Sequence, residues 1–455
     1  MKFWVSETIR HLSRVMNLRR NQIAIGLLLL ATLLLTLNGS ASSRLAAVQD
    51  GPKQPLARAE QNILQYRQGN AIIKVQDRDG TPLTGVRLKI TQLSHDFKFG
   101  CYLSLEELDP AHQELYQRQF RSLFNYATLG FYWTVLEWER GDPNWERWDR
   151  EAAWALSQGI GLKGHPLVWG ADAGGTPAWL PRNKQELNAI VKQHIQETMT
   201  RYQGRVKIWD VVNEPLEGGI FEDVLGKDYV KAAFQWAREA DPQAQLSINE
   251  NTILGAWPVN REPYLQLLSS LLAEGTPIDI IGIQAHESIR EWLDPTVVTA
   301  TLDRYAALGK PIHITEVTVQ GGSEPITGSY RNGVWDPEQQ AQYYREFFTV
   351  CFGHPQVEAL TVWGLDDARV WIENCGLLDQ RWQPKPAYLA LDQLINHQWH
   401  TELAGIANNG IYRLRGFYGD YLVEADLPGG PKVKQKFTLR RGATNEWTIR
   451  SLGIK

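Results

Sequence analysis

The feature that most constrains this chain is a rhythm repeated eight times. Apolar strand candidates begin near Phe97, Phe124, Gly161, Val206, Gln245, Ile278, Pro311 and Ala359, with helical segments between them. Strands that alternate with helices call for a parallel sheet covered on both faces, and such strands read as continuous apolar runs. Eight β-α units over about 300 residues match the size of a (β/α)₈ TIM barrel. An open, doubly wound α/β sheet would alternate too, but no glycine-rich phosphate-binding turn follows the first strand. The helices are punctuated. Asp109-Pro110, Asp294-Pro295 and Asp336-Pro337 each set a capping carboxylate before a proline at the first helical position. Gly159, Gly275, Gly309 and Gly353 stand where a left-handed C-terminal cap is expected. Leu187, Ile190, Val191, Ile195 and Met199 recur at helical spacing and mark a core-facing stripe.

Composition narrows the class further. With 43% apolar residues the chain can bury a large core, and its net charge of −4 has no long single-sign block beyond the N-terminus, so no nucleic-acid partner is implied. Cys101, Cys351 and Cys375 are too few for a disulfide framework or a metal cage. One bridge, Cys351 to Cys375, is conceivable, but burial as small hydrophobes is the better reading. The 18 tryptophans are flat, rigid faces suited to sugar rings, although a barrel also buries several in its core.

The flanks read differently. Lys2, Arg10, Arg14, Arg19 and Arg20 precede the apolar stretch Ile23 to Leu37, and Asn38-Gly39-Ser40-Ala41-Ser42 follows it. Residues 1–43 therefore read as a secretory signal peptide, with an uncleaved membrane anchor as the alternative, and either places the rest of the chain outside the cytoplasm. Residues 44–70 show no clear periodicity and are expected to be a linker. Within 71–94, two short alternating segments around Asp79-Gly80 suggest a hairpin-like strand unit. The barrel is expected over 95–398. Residues 399–455 alternate in short runs broken by Pro428-Gly429-Gly430-Pro431 and read as a small β module, expected to pack with the strands of 71–93 into a sandwich. A monomer is expected.

The chemistry belongs at the C-terminal ends of the barrel strands, where active sites of this fold lie. The run from Val206 ends in Asn213-Glu214-Pro215, and Pro311 to Thr315 ends in Glu316. Two glutamates at strand ends are what glycoside hydrolysis needs, one to protonate the leaving oxygen and one to attack the anomeric carbon. Glu214 is expected to be protonated through burial and the nearby carboxylate, and Glu316 to be ionised, oriented by His286. His165 and Trp169, Gln284, Asn213, Trp363 and Trp371 are candidate sugar contacts, and Asn249 to Asn251 lie at a strand end among them. Glu250, Glu287 and Asp366 also lie near strand ends and rank as supporting groups or substrate contacts. No metal is expected, since His165, His286 and His313 lie on separate strands without a His-Glu-x-x-His motif.

Several stretches carry a family resemblance. Trp209 to Pro215, Gly164-His165-Pro166-Leu167-Val168-Trp169, Gly282-Ile283-Gln284-Ala285-His286, His313-Ile314-Thr315-Glu316 and Trp363-Gly364-Leu365 with Trp371 resemble the signatures of glycoside hydrolase family 10, the retaining endo-β-1,4-xylanases. Pro384-Lys385-Pro386-Ala387-Tyr388 before the last helix fits as well, and the similarity covers roughly residues 95 to 397. The resemblance implies Glu214 as acid/base and Glu316 as nucleophile, with His165, Asn213, Gln284, His286 and Trp363 lining the cleavage subsite and no cofactor. It also exposes departures. Where the xylanases carry Thr-Pro-Glu-Asn-Glu-Met-Lys-Trp to grip a distal xylose, this chain reads Thr128-Leu129-Gly130-Phe131-Tyr132-Trp133-Thr134, and their Val-Trp-His is Val168-Trp169-Gly170. Lost sugar hydrogen bonds, each worth about 1 kcal/mol, should weaken binding of plain xylan. A β-glycosidase acting on another glycoside, favoured by Phe131, Tyr132 and Trp133, and a non-catalytic carbohydrate-binding barrel are the alternatives.

Overall fold

The computed structural model describes residues 53–451 apart from 107, 172–173, 329 and 429–431. The signal or anchor expected over 1–43 lies outside the described residues. Eight parallel strands form the barrel, in order Lys98–Leu103, Tyr126–Gly130, Gly161–His165, Ile208–Asn213, Gln245–Glu250, Ile280–Ala285, Ile312–Val317 and Val357–Val362. Each pairs with the next, and the eighth closes on the first through Ala359 beside Lys98 and Leu360 beside Phe99. Their starts lie within about three residues of the expected positions, because apolar runs buried on both faces are the clearest strand signal a sequence offers.

The caps hold the helices as expected. Asp109, Asp294 and Asp336 accept hydrogen bonds from backbone N–H groups of the first turns of Pro110–Leu123, Pro295–Ala306 and Pro337–Gly353. Gly159, Gly275 and Gly309 take the left-handed conformation. Gly353 does not. It ends its helix, and a Cβ there would sit 2.6 Å from the carbonyl oxygen of Ala59. That glycine is required by close helix contact, not by a turn.

The contact reveals a correction. Residues expected as a linker include a helix, Lys53–Tyr66, which buries Ala59 and Ile63 against the barrel core. Leu56, Ala59, Ile63 and Tyr66 recur along it at helical spacing, a signal that the linker expectation passed over. Arg67, just after it, is buried and donates from Nε to the carbonyl of Phe352 and from Nη2 to those of His354 and Val357, all at 2.6 Å. Its guanidinium also lies over the rings of Phe97 and Phe352.

The strands before the barrel are not a hairpin either. Gln68–Gln76 and Val86–His95 lie in different sheets, and the turn between them closes only with a single bridge from Gln76 to Pro82. Gln68–Gln76 lies between Ile411–Phe417 and Glu446–Arg450, whereas Val86–His95 lies between Glu402–Ala407 and Gly419–Asp426, with Val433–Leu439 outermost. The two sheets enclose one core of Ile73, Val75, Leu88, Ile90, Tyr421, Val423 and Trp447. All three cysteines are free and buried, so Cys351 and Cys375 are not bridged.

Arg67 is the group whose loss should be felt most. Arg67→Ala removes the guanidinium from three carbonyls, of which that of His354 keeps the N–H of Val357 at 3.2 Å, and should cost about 3 kcal/mol in urea unfolding while leaving the strand-end carboxyls undisturbed. An unchanged midpoint would count against this role.

Candidate active site

Both glutamates sit where the backbone is irregular. The fourth strand shifts register against the fifth between Asp210 and Val212, and the seventh shifts against the sixth between Ile314 and Glu316. Such irregularities re-aim the side chains that follow. Glu214 itself has φ 51°, in the left-handed region that costs a residue with a Cβ about 1–2 kcal/mol. Its N–H is held by the carbonyl of Asn249 at 2.8 Å.

The carboxyl of Glu214 accepts from Trp169 Nε1 at 2.7 Å and from Gln284 Nε2 at 2.9 Å. Trp169 reaches it because the chain after the third strand adds a two-residue extension, Val168–Trp169, that pairs with Val212 and Asn213. Burial, and next the charge of Glu316, raise the Glu214 carboxyl above the usual range against the hydrogen bonds it receives.

Glu316 is buried, and it is solvated entirely by side chains. Asn249 Nδ2 donates to its Oε1 at 2.7 Å, His286 Nε2 lies 3.1 Å from Oε2, and His165 Nε2 lies 3.8 Å from Oε1. Burial pushes this carboxyl up, but His165 and the hydrogen bond of His286 more than reverse it, and the net shift is downward. The two carboxyls are thus displaced in opposite directions, as an acid and a nucleophile require.

One chain of amides joins them. Gln284 Nε2 spans Glu214 Oε1 and, at 3.3 Å, Asn213 Oδ1, while Asn249 Nδ2 spans Asn213 Oδ1 at 2.8 Å and Glu316. Thr315 Oγ1 donates to Asn249 Oδ1 at 2.6 Å and fixes that amide's orientation. Both bonds to Asn213 use its carbonyl oxygen, leaving its NH₂ as the donor it can offer a sugar. Trp363 packs edge-on to His165 at 5.1 Å between ring centres, and Trp371, half exposed, packs edge-on to His286 at 5.1 Å. All nine residues expected from the sequence therefore meet in one place.

Residues 89–394 match Glycosyl hydrolase family 10. The chain belongs to that family. Among its relatives, Endo-1,4-beta-xylanase B of Thermotoga neapolitana is 31% identical over 303 residues, covering 63% of this chain and 84% of that protein. Endo-1,4-beta-xylanase 1 of Arabidopsis thaliana is 30% identical over 406 residues, covering 86% of this chain but only 40% of its own length. The crystal structure of xylanase 10B from Thermotoga petrophila RKU-1 in complex with xylobiose matches with TM-score 0.58 and 28% identity, covering 67% of this chain and 95% of that one.

This family 10 site also holds groups the motifs did not single out. Asp210 Oδ2 contacts His165 Nδ1 at 2.8 Å and Lys163 Nζ at 2.7 Å, and all three are buried. Burial alone would raise the Asp210 carboxyl, yet Lys163 and His165 hold it well below the usual range. Lys163 and Asp210 interrupt apolar strands, and a charge there must be paired; that signal was available. Asn249 is marked by its place at the end of the fifth strand, whereas Thr315 and Thr318 carry no signal of their own.

The substituted segment after the second strand is less aromatic toward the cleft than its sequence suggests. Phe131 stacks on Trp148 and Trp133 on His194, both buried in the core. Only Tyr132 faces the site, 5.9 Å between ring centres from both His165 and Trp169. The rival carboxylates are occupied. Glu250 accepts from the N–H groups of Leu216 and Asn251, Glu287 from those of Leu254 and Gly255, and Asp366 binds Arg369 at 2.7 Å.

The electrostatic coupling of the pair can be tested directly. Glu316→Gln removes the neighbouring charge that helps keep the Glu214 proton on, so the Glu214 carboxyl should titrate at lower pH in that variant. Carbon-13 NMR of labelled glutamate reads the shift, and an unmoved titration would show that the charge of Glu316 is not felt.

Proposed function

We propose that this chain is a secreted, retaining endo-1,4-β-xylanase that acts as a monomer on a polysaccharide. The observation that carries the reading is the pair itself: a carboxyl biased toward protonation and one biased toward ionisation, joined through Gln284, Asn213 and Asn249. Glu316 attacks the anomeric carbon as Glu214 gives its proton to the leaving oxygen. Water then enters, Glu214 takes a proton from it, and the sugar leaves with its original configuration. Asn213 offers its amide to the 2-hydroxyl. The xylanase names of the relatives, and the xylobiose bound to a structural neighbour, support the substrate class. The basic and apolar N-terminal sequence supports secretion.

A second reading within glycoside hydrolysis rests on Tyr132. An aromatic ring beside His165 and Trp169 presents a face where polar donors would otherwise grip a distal xylose, and it suits a decorated sugar or another β-glycoside.

Purified residues 44–455 should release reducing sugar from xylan. Glu316→Ala should abolish release, and Glu214→Ala should lower it about 10²–10⁴-fold on substrates with poor leaving groups. Proton NMR of the first product should show the β anomer before mutarotation. Activity confined to β-glucans or aryl β-glycosides would move the substrate assignment and keep the mechanism. No Glu316-dependent activity on any of them would leave a carbohydrate-binding barrel.

A further inference from the structure

Behind Glu316 runs a hydrogen-bonded line that the two-carboxylate mechanism does not use. His286 Nε2 lies 3.1 Å from Glu316 Oε2, His286 Nδ1 lies 2.9 Å from Thr318 Oγ1, and Trp371 Nε1 donates to that same hydroxyl oxygen at 3.4 Å. The two ends of this line have fixed polarity. An indole N–H only donates, and an ionised carboxylate only accepts.

The middle follows from the ends. Glu316 takes the Nε2 proton; were Nδ1 protonated as well, the buried Thr318 oxygen would receive two N–H donors and its own proton would have no acceptor among the described residues, so Nδ1 is an acceptor. Thr318 must then donate its hydroxyl proton to Nδ1. Its oxygen takes the Trp371 N–H on a lone pair, and every group is satisfied in a single arrangement. We propose that Thr318 and Trp371 are positioning residues that hold His286 as the neutral Nε2–H tautomer, so that Glu316 is oriented by a dipole instead of a full positive charge.

The distinction matters for an attacking carboxylate. A cation against Glu316 would stabilise its negative charge most before reaction and less once that charge passes into the bond to sugar, opposing the step. A neutral donor orients the oxygen with a smaller ground-state penalty. Thr318 is well placed to keep this arrangement, since its own carbonyl is fixed by Ser288 Oγ at 2.8 Å and its N–H is directed at the carbonyl of Ala285 at 3.4 Å. Trp371 therefore has two tasks, a half-exposed ring at the cleft and an N–H that polarises the hydroxyl.

This inference rests on Glu316 being the nucleophile, and its test separates the two ideas. Thr318→Val keeps the shape but removes the donor. It should lower kcat by about tenfold with KM little changed, as expected for losing one oriented hydrogen bond of about 1.4 kcal/mol. Thr318→Ser should restore most of the loss, and Trp371→Phe, which keeps a ring, should lower kcat severalfold. Nitrogen-15 NMR of labelled His286 should show Nε2 protonated and Nδ1 bare at neutral pH, with the signals averaging between tautomers in Thr318→Val. Full kcat in Thr318→Val, failure of serine to rescue, or a wild-type His286 protonated on Nδ1 would overturn the proposal. If the wild type hydrolyses nothing, the functional reading fails, and the NMR tautomer still decides this one.

Discussion

A carboxylate taken out of water must be given other partners, and at Glu316 every one of them is a side chain brought from a different strand. Asn249 comes from the fifth strand, His165 from the third and His286 from the end of the sixth. An unpaired charge at this depth would cost several kcal/mol, so the arrangement of the barrel mouth is dictated by the need to solvate one group. Glu214 is bonded by the neutral groups Trp169 and Gln284 and feels the charge of Glu316, and burial with that charge raises its carboxyl above the usual range. The asymmetry that chemistry needs is thus a consequence of unequal solvation inside a single cavity.

The supporting polar groups extend this logic one layer down. Lys163, Asp210 and His165 form a fully buried line whose far end approaches Glu316, and the amide pair Asn249 and Gln284 share the oxygen of Asn213. The members of such a network depend on one another, and two of its buried oxygens, Asp210 Oδ1 and Gln284 Oε1, have no hydrogen-bond partner among the described residues. The strain at Glu214, with its positive φ, belongs to the same account. The backbone there is held by the Asn249 carbonyl, and Asn249 also serves Glu316 through its side chain.

Much of this was legible in the sequence, for physical reasons. Parallel barrel strands are continuous apolar runs, and a carboxylate ending such a run beside Pro215 stands out against that background. Asp-Pro pairs marked helix starts because cap and proline chemistry is local. What escaped depends on tertiary contact. Gly353 reads as a C-terminal cap, yet what requires it is the close approach of Ala59, and the Lys53–Tyr66 helix has an apolar stripe whose docking site on the barrel no local pattern reveals. The hairpin expected between Ala71 and Ile90 failed because alternation reveals that a residue run is a strand but not its partner. Phe131 and Trp133 read as cleft aromatics, yet the core claimed both, and residue type alone does not tell the two destinations apart.

The partners those early strands found have a consequence for assembly. Gln68 is paired with Phe417 and Ile73 with Trp447, so the strands that lead into the barrel are completed only by segments that leave it. Closing so long a loop is entropically slow, and the early strands stay without partners until nearly the whole chain is available. The sandwich therefore forms only when segments from both sides of the barrel sequence are brought together. The sandwich is a clasp that ties the two flanks of the barrel together, and Arg67, just before its first strand, pins that flank to the barrel through the carbonyls of Phe352, His354 and Val357.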